Sequence, residues 1–407
     1  MPNRALTILR SRPRFGPPGA RERVRALLPG LPDGVKITGS NGKGSTSHLT
    51  ALGLGALGLR TGLFISPHFL DPRERIAIVG PEGHPVPIAA DDFDRVIADA
   101  ARSLPGGAQF EVLTLAAARY FEAQRLDAVV WEAGIGGLHD TTAGIPSSIS
   151  ILTHVALEHT ALLGNSLAAI AADKAQLASP GSTLILGPLD EIADASARAA
   201  TGAGHVHRVT APVATGLLGA HQGWNAACAD AAIRHFCRPR AHSDVAFDAR
   251  LAAAFARARV PGRFEPVPLA PTWSSDVPVW IDAAHNVSGL EVARETARET
   301  FGRRPVVLLL GVSTDRDVEA MVPIIEAVGA ALVVTSAHHK GAPAERLAAA
   351  ATRLNAEVVR DPSDALAIAI AEAERRGGLV FATGGLFLAA EVAAAASGHN
   401  PMELQWF

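Results

Sequence analysis

A glycine-rich turn at residues 39–46, Gly39-Ser40-Asn41-Gly42-Lys43-Gly44-Ser45-Thr46, constrains this chain more than any other stretch. It follows an apolar run at 35–38 that reads as a buried strand. It precedes residues 47–60, where Leu and Ala recur at helical spacing with almost no charge. Strand, glycine turn and helix in that order are the setting of a phosphate loop. Glycines let the backbone approach an anion, and the free N–H groups and dipole of the helix start attract it. Asn41, Gly42 and Gly44 would line the phosphates, Lys43 would reach the terminal ones, and Ser45 or Thr46 would ligate Mg²⁺. The loop is shorter than the standard pattern: Gly44 follows Lys43, and Ile37 stands where the first glycine would be. The plain alternative is a tight turn with a surface lysine, and the agreement of strand, loop and helix weighs against it.

Length and composition bound the rest. A chain of 407 residues implies two domains of unequal size, and 48% hydrophobic residues suffice for a large core. A net charge of −3 gives no sign of a general nucleic-acid binder. Cys228 and Cys237 have neither metal-ligand spacing nor an obvious disulfide role, which fits a reducing, cytoplasmic setting. The first 25 residues hold several Arg but no apolar run of signal length. No apolar stretch approaches the ~20 residues of a membrane span. Lysine is scarce, with only Lys36, Lys43, Lys174 and Lys340. Arg carries the ordinary surface charge, so each lysine asks for a reason, and only a lysine amine readily loses its proton and reacts. Lys36 is read as retained by chance.

Further along, a short helix is expected at 21–28, a strand at 61–65, a charged connection at 71–80 and a loop at 80–87. Helices are expected at 91–103 and 110–124. Residues 126–131 read as a buried strand ending at Glu132. An acidic residue at the carboxyl end of a buried parallel strand is where α/β sheets place ligand- or Mg²⁺-holding groups. Gly134, Gly136 and Gly137 then allow backbone to approach a substrate. A strand at 149–155 leads to His159, and a helix starting near Ser166 carries Lys174. Beyond Pro261, strand patterns at 279–282, 306–310, 331–335, 357–360 and 379–383 alternate with helical ones, which predicts a mainly parallel sheet with helices on both faces. The expected fold is α/β: a large phosphate-loop domain with a mainly parallel sheet over 1–259, and a smaller Rossmann-like α/β domain over 260–407.

Nine short blocks in order resemble the folylpolyglutamate synthase and dihydrofolate synthase family of the Mur-ligase superfamily. They are the 39–46 loop; Ser66-Pro67-His68 with Glu74-Arg75-Ile76; Phe110-Glu111-Val112-Leu113-Thr114; Glu132-Ala133-Gly134-Ile135-Gly136-Gly137; and His159-Thr160 with Leu163-Gly164 and Asp173-Lys174-Ala175. The rest are His221-Gln222 with Asn225, Pro261-Gly262-Arg263, Asp282-Ala283-Ala284-His285-Asn286, and Ala382-Thr383-Gly384-Gly385. The resemblance implies ATP as cosubstrate and two Mg²⁺ ions. Lys43, Glu132, His159 and Lys174 would be catalytic. Ser45, Ser66, Glu132 and His159 would be metal ligands, joined by Lys174 as a carbamate. Asn225, Arg263, Asp282 and His285 would contact ATP, with the last three beyond the domain junction, so that ATP lies between the domains. His68, Phe110, Glu111, Thr114, His139, Asp140 and Thr141 would face the substrates.

The reaction so implied is ligation. ATP phosphorylates a carboxylate, an amino group displaces phosphate, and an amide forms. Glutamate added to dihydropteroate or a folate is the expected pair, in a monomer with small-molecule partners and neither nucleic acid nor membrane. One segment departs from the family. Leu138-His139-Asp140-Thr141-Thr142-Ala143 stands where Arg-Leu-Asp-Ala-Thr-Asn is usual, and Leu cannot donate the hydrogen bonds of a guanidinium. Leu157-Glu158-His159 replaces the usual Leu-Asp-His, and His338-His339-Lys340 is also unusual. The alternative is the same chemistry diverted to another acid or amino acid.

Overall fold

A computed structural model describes residues 4–14, 16–237 and 245–407. Eight strands form the larger sheet: β1 (Gly34–Thr38), β2 (Thr61–Phe64), β3 (Ile76–Val79), β4 (Pro85–Pro87), β5 (Ala128–Glu132), β6 (Ile149–Leu152), β7 (Thr183–Leu186) and β8 (His205–Arg208). Their spatial order is β4-β3-β2-β5-β1-β6-β7-β8. The six from β2 to β8 run parallel, and β3 and β4 are antiparallel additions. All five residues of β1 are buried, as are all five of β5, which is what a strand covered on both faces requires. The chain leaves β1 on one side and, after β5, crosses to β6 on the other. Strand order therefore reverses around β1, and the carboxyl ends of β1, β5 and β6 open a crevice.

The smaller sheet has β9 (Glu265–Val267), β10 (Val279–Ile281), β11 (Val306–Leu310), β12 (Ala331–Val334), β13 (Ala356–Val358) and β14 (Leu379–Thr383), in the order β13-β12-β11-β14-β10-β9. It is parallel except for the edge strand β9.

Two packing layers aim the crevice. On one face, the helix Lys43–Ala56 packs against the helices Ala220–Cys237 and Val245–Arg257 through Leu49, Leu52 and Leu54 with Ile233, Leu251 and Phe255. This contact fixes the helix axis, and its amino end therefore points at the strand ends. On the other face, Trp131 is buried against Phe64 and Phe121, with ring centroids 5.4 Å away in each case. Each such side chain contributes roughly 1.5–3 kcal/mol by burial.

The expected connection at 71–80 and loop at 80–87 prove to contain β3 and β4. Ile76-Ala77-Ile78-Val79 is an apolar run hidden behind the polar residues 71–75. Pro85 and Pro87 are tolerated because β4 is an edge strand, where a missing N–H costs no ladder bond. The strand β8 also escaped prediction: its residues His205, His207 and Arg208 are exposed, so no apolar pattern marks it. A further helix, Arg4–Arg10, precedes the expected one, which spans Ala20–Arg25. Among the described residues no helix is long and apolar enough to cross a membrane. Both cysteines are buried.

Lys36 is not a chance surface charge. It lies on β1 with no solvent exposure, and its Nζ donates to the Ile145 carbonyl and to Ser179 Oγ, each at 3.0 Å. Burial lowers its pKa to about 7, with Arg21 adding to the effect and Asp140 opposing it. An unfolded amine titrates near about 10.4. Between those values the unfolded chain holds the extra proton, so stability rises with pH across that window. The penalty is complete below the folded pKa and relieved as pH climbs towards the unfolded one. In Lys36→Met the rise between pH 7 and 10 should flatten. Urea denaturation at pH 7, 8 and 9 checks this, and parallel curves for both proteins would remove Lys36 as the titrating group.

Candidate active site: a cleft between the two sheets

The carboxyl ends of β1, β5 and β6 and the ends of β10 and β11 face a common cleft of about 870 Å³. The helix at the glycine turn begins at Lys43 itself, not at residue 47. Gly42 caps it in the left-handed region at φ 87°, and a Cβ there would lie 2.3 Å from Asn225 Oδ1, so both conformation and space demand glycine. Asn225 is thereby pressed against the loop from the helix Ala220–Cys237. The Lys43 amine turns back onto its own loop and donates to the Gly39 carbonyl at 2.7 Å. Ser45 lines the cleft, while Thr46 lies behind the wall with its hydroxyl buried and unpartnered.

Glu132 closes β5 and is 5% exposed. Burial raises its pKa to about 7, against the pull of Lys43, the Ser66 N–H, Arg263 and Arg75. The Ser66 N–H lies 3.4 Å from Glu132 Oε2. A Cβ placed on Gly44 would lie 3.9 Å from both Glu132 oxygens and 3.3 Å from Arg263 Nη2. Loop, strand end and a residue from beyond the first sheet thus meet within a few ångströms. Arg263 is followed by Phe264, whose N–H donates to Asp282 Oδ2 at 3.0 Å, and the Ala284 N–H donates to Asp282 Oδ1 at 2.8 Å. Burial also raises the pKa of Asp282. Asn286 Nδ2 donates to Asn41 Oδ1 at 3.0 Å, a direct bond between the two sides of the cleft. His285 lines it too, and burial lowers its pKa to about 4, so its ring is neutral.

After β6, His159 sits in the left-handed region at φ 45° and lines the cleft. Burial lowers its pKa, leaving a lone pair free for a metal. Its neighbour Glu158 forms a buried ion pair with Lys174 at 2.9 Å. Burial pushes the Glu158 carboxyl up, but Lys43 and then Lys174 outweigh this and bring it to about 2. Lys174 is only 1% exposed and stands behind Glu158 and not on the cleft wall.

The substrate-facing candidates divide. Phe110, His139, Asp140 and Thr141 line the cleft. Asp140 is also the tie of the glycine turn: it accepts from the Gly134, Ile135 and Thr142 N–H groups at 2.8, 3.1 and 2.9 Å. Glu111 reaches the wall, but its carboxylate is held by Arg23 at 3.0 Å and by the Ala108 N–H at 3.2 Å. Thr114 bonds Thr141 Oγ1 and the Phe110 carbonyl, away from the wall. His68 is buried under Trp406 and is likewise not on the wall. Sequence reasoning missed Arg316. It follows β11, lines the cleft, and its charge is felt by His159 and His285. Its place just past a parallel strand's carboxyl end was the available signal.

Among the described residues no three His, Cys, Asp or Glu side chains converge on one point. Mg²⁺ takes one or two carboxylates and fills its octahedron with water and phosphate oxygens. The buried carboxylate of Glu132 offers one such oxygen, and the hydroxyl-bearing Ser45 and Ser66 line the same cleft.

Residues 262–386 match the family model described as Mur ligase, glutamate ligase domain. The probable bifunctional folylpolyglutamate synthase/dihydropteroate synthase of Halobacterium salinarum is 32% identical over 93% of this chain and 49% of its own length. The dihydrofolate synthase/folylpolyglutamate synthase of Mycobacterium tuberculosis is 31% identical, covering 76% of this chain and 70% of its own. The chain belongs to the folylpolyglutamate synthase/dihydrofolate synthase family. It spans about half the length of the Halobacterium relative. The family architecture extends over both sheets. A crystal structure of the Mycobacterium tuberculosis folylpolyglutamate synthase, complexed with ADP and AMPPCP, matches with a TM-score of 0.82 and 26% identity over 97% of this chain and 98% of that one.

Proposed function

We propose that this protein is an ATP-dependent, ADP-forming ligase that joins an amino acid, glutamate, to dihydropteroate or a folate through an amide bond. One observation carries the reading: the glycine turn, Glu132 and Arg263 converge on one point of the cleft between the two sheets. A phosphate loop, a buried acidic strand end and a cation from the facing unit are what γ-phosphoryl transfer asks for, since it needs positioning and charge neutralisation more than a protein nucleophile. The division into domains falls near Val260, between the two sheets. The protein acts as a cytoplasmic monomer on small molecules.

The chain's residues take these parts. Lys43 leaves the Gly39 carbonyl and holds the terminal phosphates. Asn225 on one side, with Arg263, Asp282 and His285 on the other, grips the nucleotide. Ser45, Ser66, Glu132 and His159 would hold Mg²⁺, and Lys174, as a carbamate, would hold a second ion. Bound Mg²⁺ neutralises phosphate charge. The acceptor carboxylate lies towards Phe110 and residues 139–141, where its oxygen meets the γ-phosphoryl group. The acyl phosphate that results is protected because the smaller unit covers it and excludes water. The amine then attacks the acyl carbon, and phosphate leaves.

ADP release, measured with Mg²⁺ and a panel of carboxylates with and without glutamate, tests the reading. Release that requires both dihydropteroate or a folate and glutamate is expected. Release with other acids or amino acids alone would move the assignment to a diverted ligase, with residues 138–143 as the refitted segment. No substrate-dependent release at all would end the ligase reading.

A further inference from the structure

Segment 404–407 belongs to the smaller unit by sequence, yet its side chains lie against both units. Trp406 stacks on His68 with ring centroids 4.7 Å apart and 14° between planes. The same indole meets the edge of Phe387 at 4.8 Å and lies 5.9 Å from the His339 ring. Phe407 packs against the core of the larger unit, and the Arg75 guanidinium lies over its ring at 4.6 Å. Polar bonds run alongside. Arg10 donates to the Trp406 carbonyl and to Gln405 Oε1 at 3.1 and 2.8 Å, and His68 Nε2 bonds the Gln405 carbonyl at 2.9 Å.

The exchange is reciprocal. Phe69, from the larger unit, is 6% exposed and buried with Val279, Ile281 and Ala283 in the core of the smaller one. It is the neighbour of His68, so the two crossings share one turn of chain. That turn also leads to the metal candidates. Arg75 donates from Nε to His68 Nδ1 at 2.9 Å and from Nη1 to Ser66 Oγ at 3.1 Å, and the Ser66 N–H faces Glu132.

We propose that Trp406 and Phe407 are positioning residues that clasp the smaller unit onto the larger one and, through Arg75, hold Ser66 beside Glu132. The proposal rests on reading the cleft as a nucleotide site, because a ligand gripped from both sides binds only when the units are together. Losing the Trp406 contacts lowers the clasped fraction, and apparent affinity falls by that fraction. Ring pairs of this kind support a change of about tenfold.

Small-angle scattering and steady-state kinetics on the full chain test it. Trp406→Ala should show a larger radius of gyration without ligand, reversed by ATP and Mg²⁺. Its KM for ATP should rise about tenfold with kcat within about threefold, because saturating nucleotide draws the units shut. Trp406→Phe should restore both. Arg10→Ala, at an exposed site, should move KM the same way by a smaller factor and serves where the alanine variant does not fold. A radius and KM for Trp406→Ala equal to the wild type's would overturn the clasp, as would a phenylalanine variant as impaired as the alanine one. A wild-type protein without ligase activity whose variant still expands would count against the ligase reading alone.

Discussion

Replacing Lys43 by alanine is expected to cut kcat by about 10²–10³-fold, the loss typical when one donor aimed at developing charge is removed. Among the described residues its amine bonds only to the Gly39 and Ser40 carbonyls of its own turn. The variant should therefore melt close to the wild type, so a lower rate cannot be assigned to unfolding. A second effect follows from the charges around it. Lys43 is the first cation opposing the burial of Glu132, whose pKa stands at about 7, and it also draws Glu158 down to about 2. Without it both carboxyls shift upwards and hold their protons to higher pH. The residual activity of Lys43→Ala should thus need more alkaline solution and more Mg²⁺ than the wild type. Rates measured from pH 6 to 9 at several Mg²⁺ concentrations would show this. An unchanged kcat at saturating ATP would remove Lys43 from the phosphates.

Much of the candidate site's placement was legible because the residues read as phosphate-facing are local in sequence. The 39–46 turn, Glu132 at the end of a fully buried strand and His159 after β6 each lie where an apolar run stops, and a parallel sheet brings such ends together. Strands with both faces covered, such as β1, β5, β11 and β14, read directly as apolar runs. The edge strands β4 and β8 did not, since β4 carries two prolines and β8 is mostly exposed. The clasp was illegible for a different reason. Trp406 meets His68 across more than 300 positions of chain, and two aromatic residues without a period carry no sign of their partner. Lys36 was misread because a lysine inside an apolar run can as well point outward at an edge. Only the neighbours β5 and β6 show that β1 is central. Glu111 and Asp140 match family blocks, but matching letters do not reveal that one carboxylate is held by Arg23 and the other by three backbone N–H groups.

Lys174 carries the other large effect. Its amine is buried, 2.9 Å from Glu158, and burial and then the charge of Lys43 lower its pKa. Lys43 thus works on the pair in one direction: it favours the Glu158 carboxylate and disfavours the Lys174 ammonium. A neutral amine can add CO₂, and the product is an anion beside an anion. Such a pair persists only with cations close by: Lys43 is one, and bound Mg²⁺ would be another. Lys174→Ala is expected to lose activity by about 100-fold, the upper end of the loss when a group supporting a metal site is removed. Lys174→Arg should be no better: the guanidinium can still pair with Glu158, but it cannot become a carbamate. Acetate or propionate at high concentration should partly restore the alanine variant by placing a carboxylate where the carbamate stood, and should do nothing for the arginine variant. In wild-type protein under ¹³CO₂, a carbamate carbon signal should appear that neither variant shows. An arginine variant as active as the wild type would decide for a plain ion pair with Glu158. So would an alanine variant that no carboxylate restores, together with a wild type that takes up no ¹³CO₂.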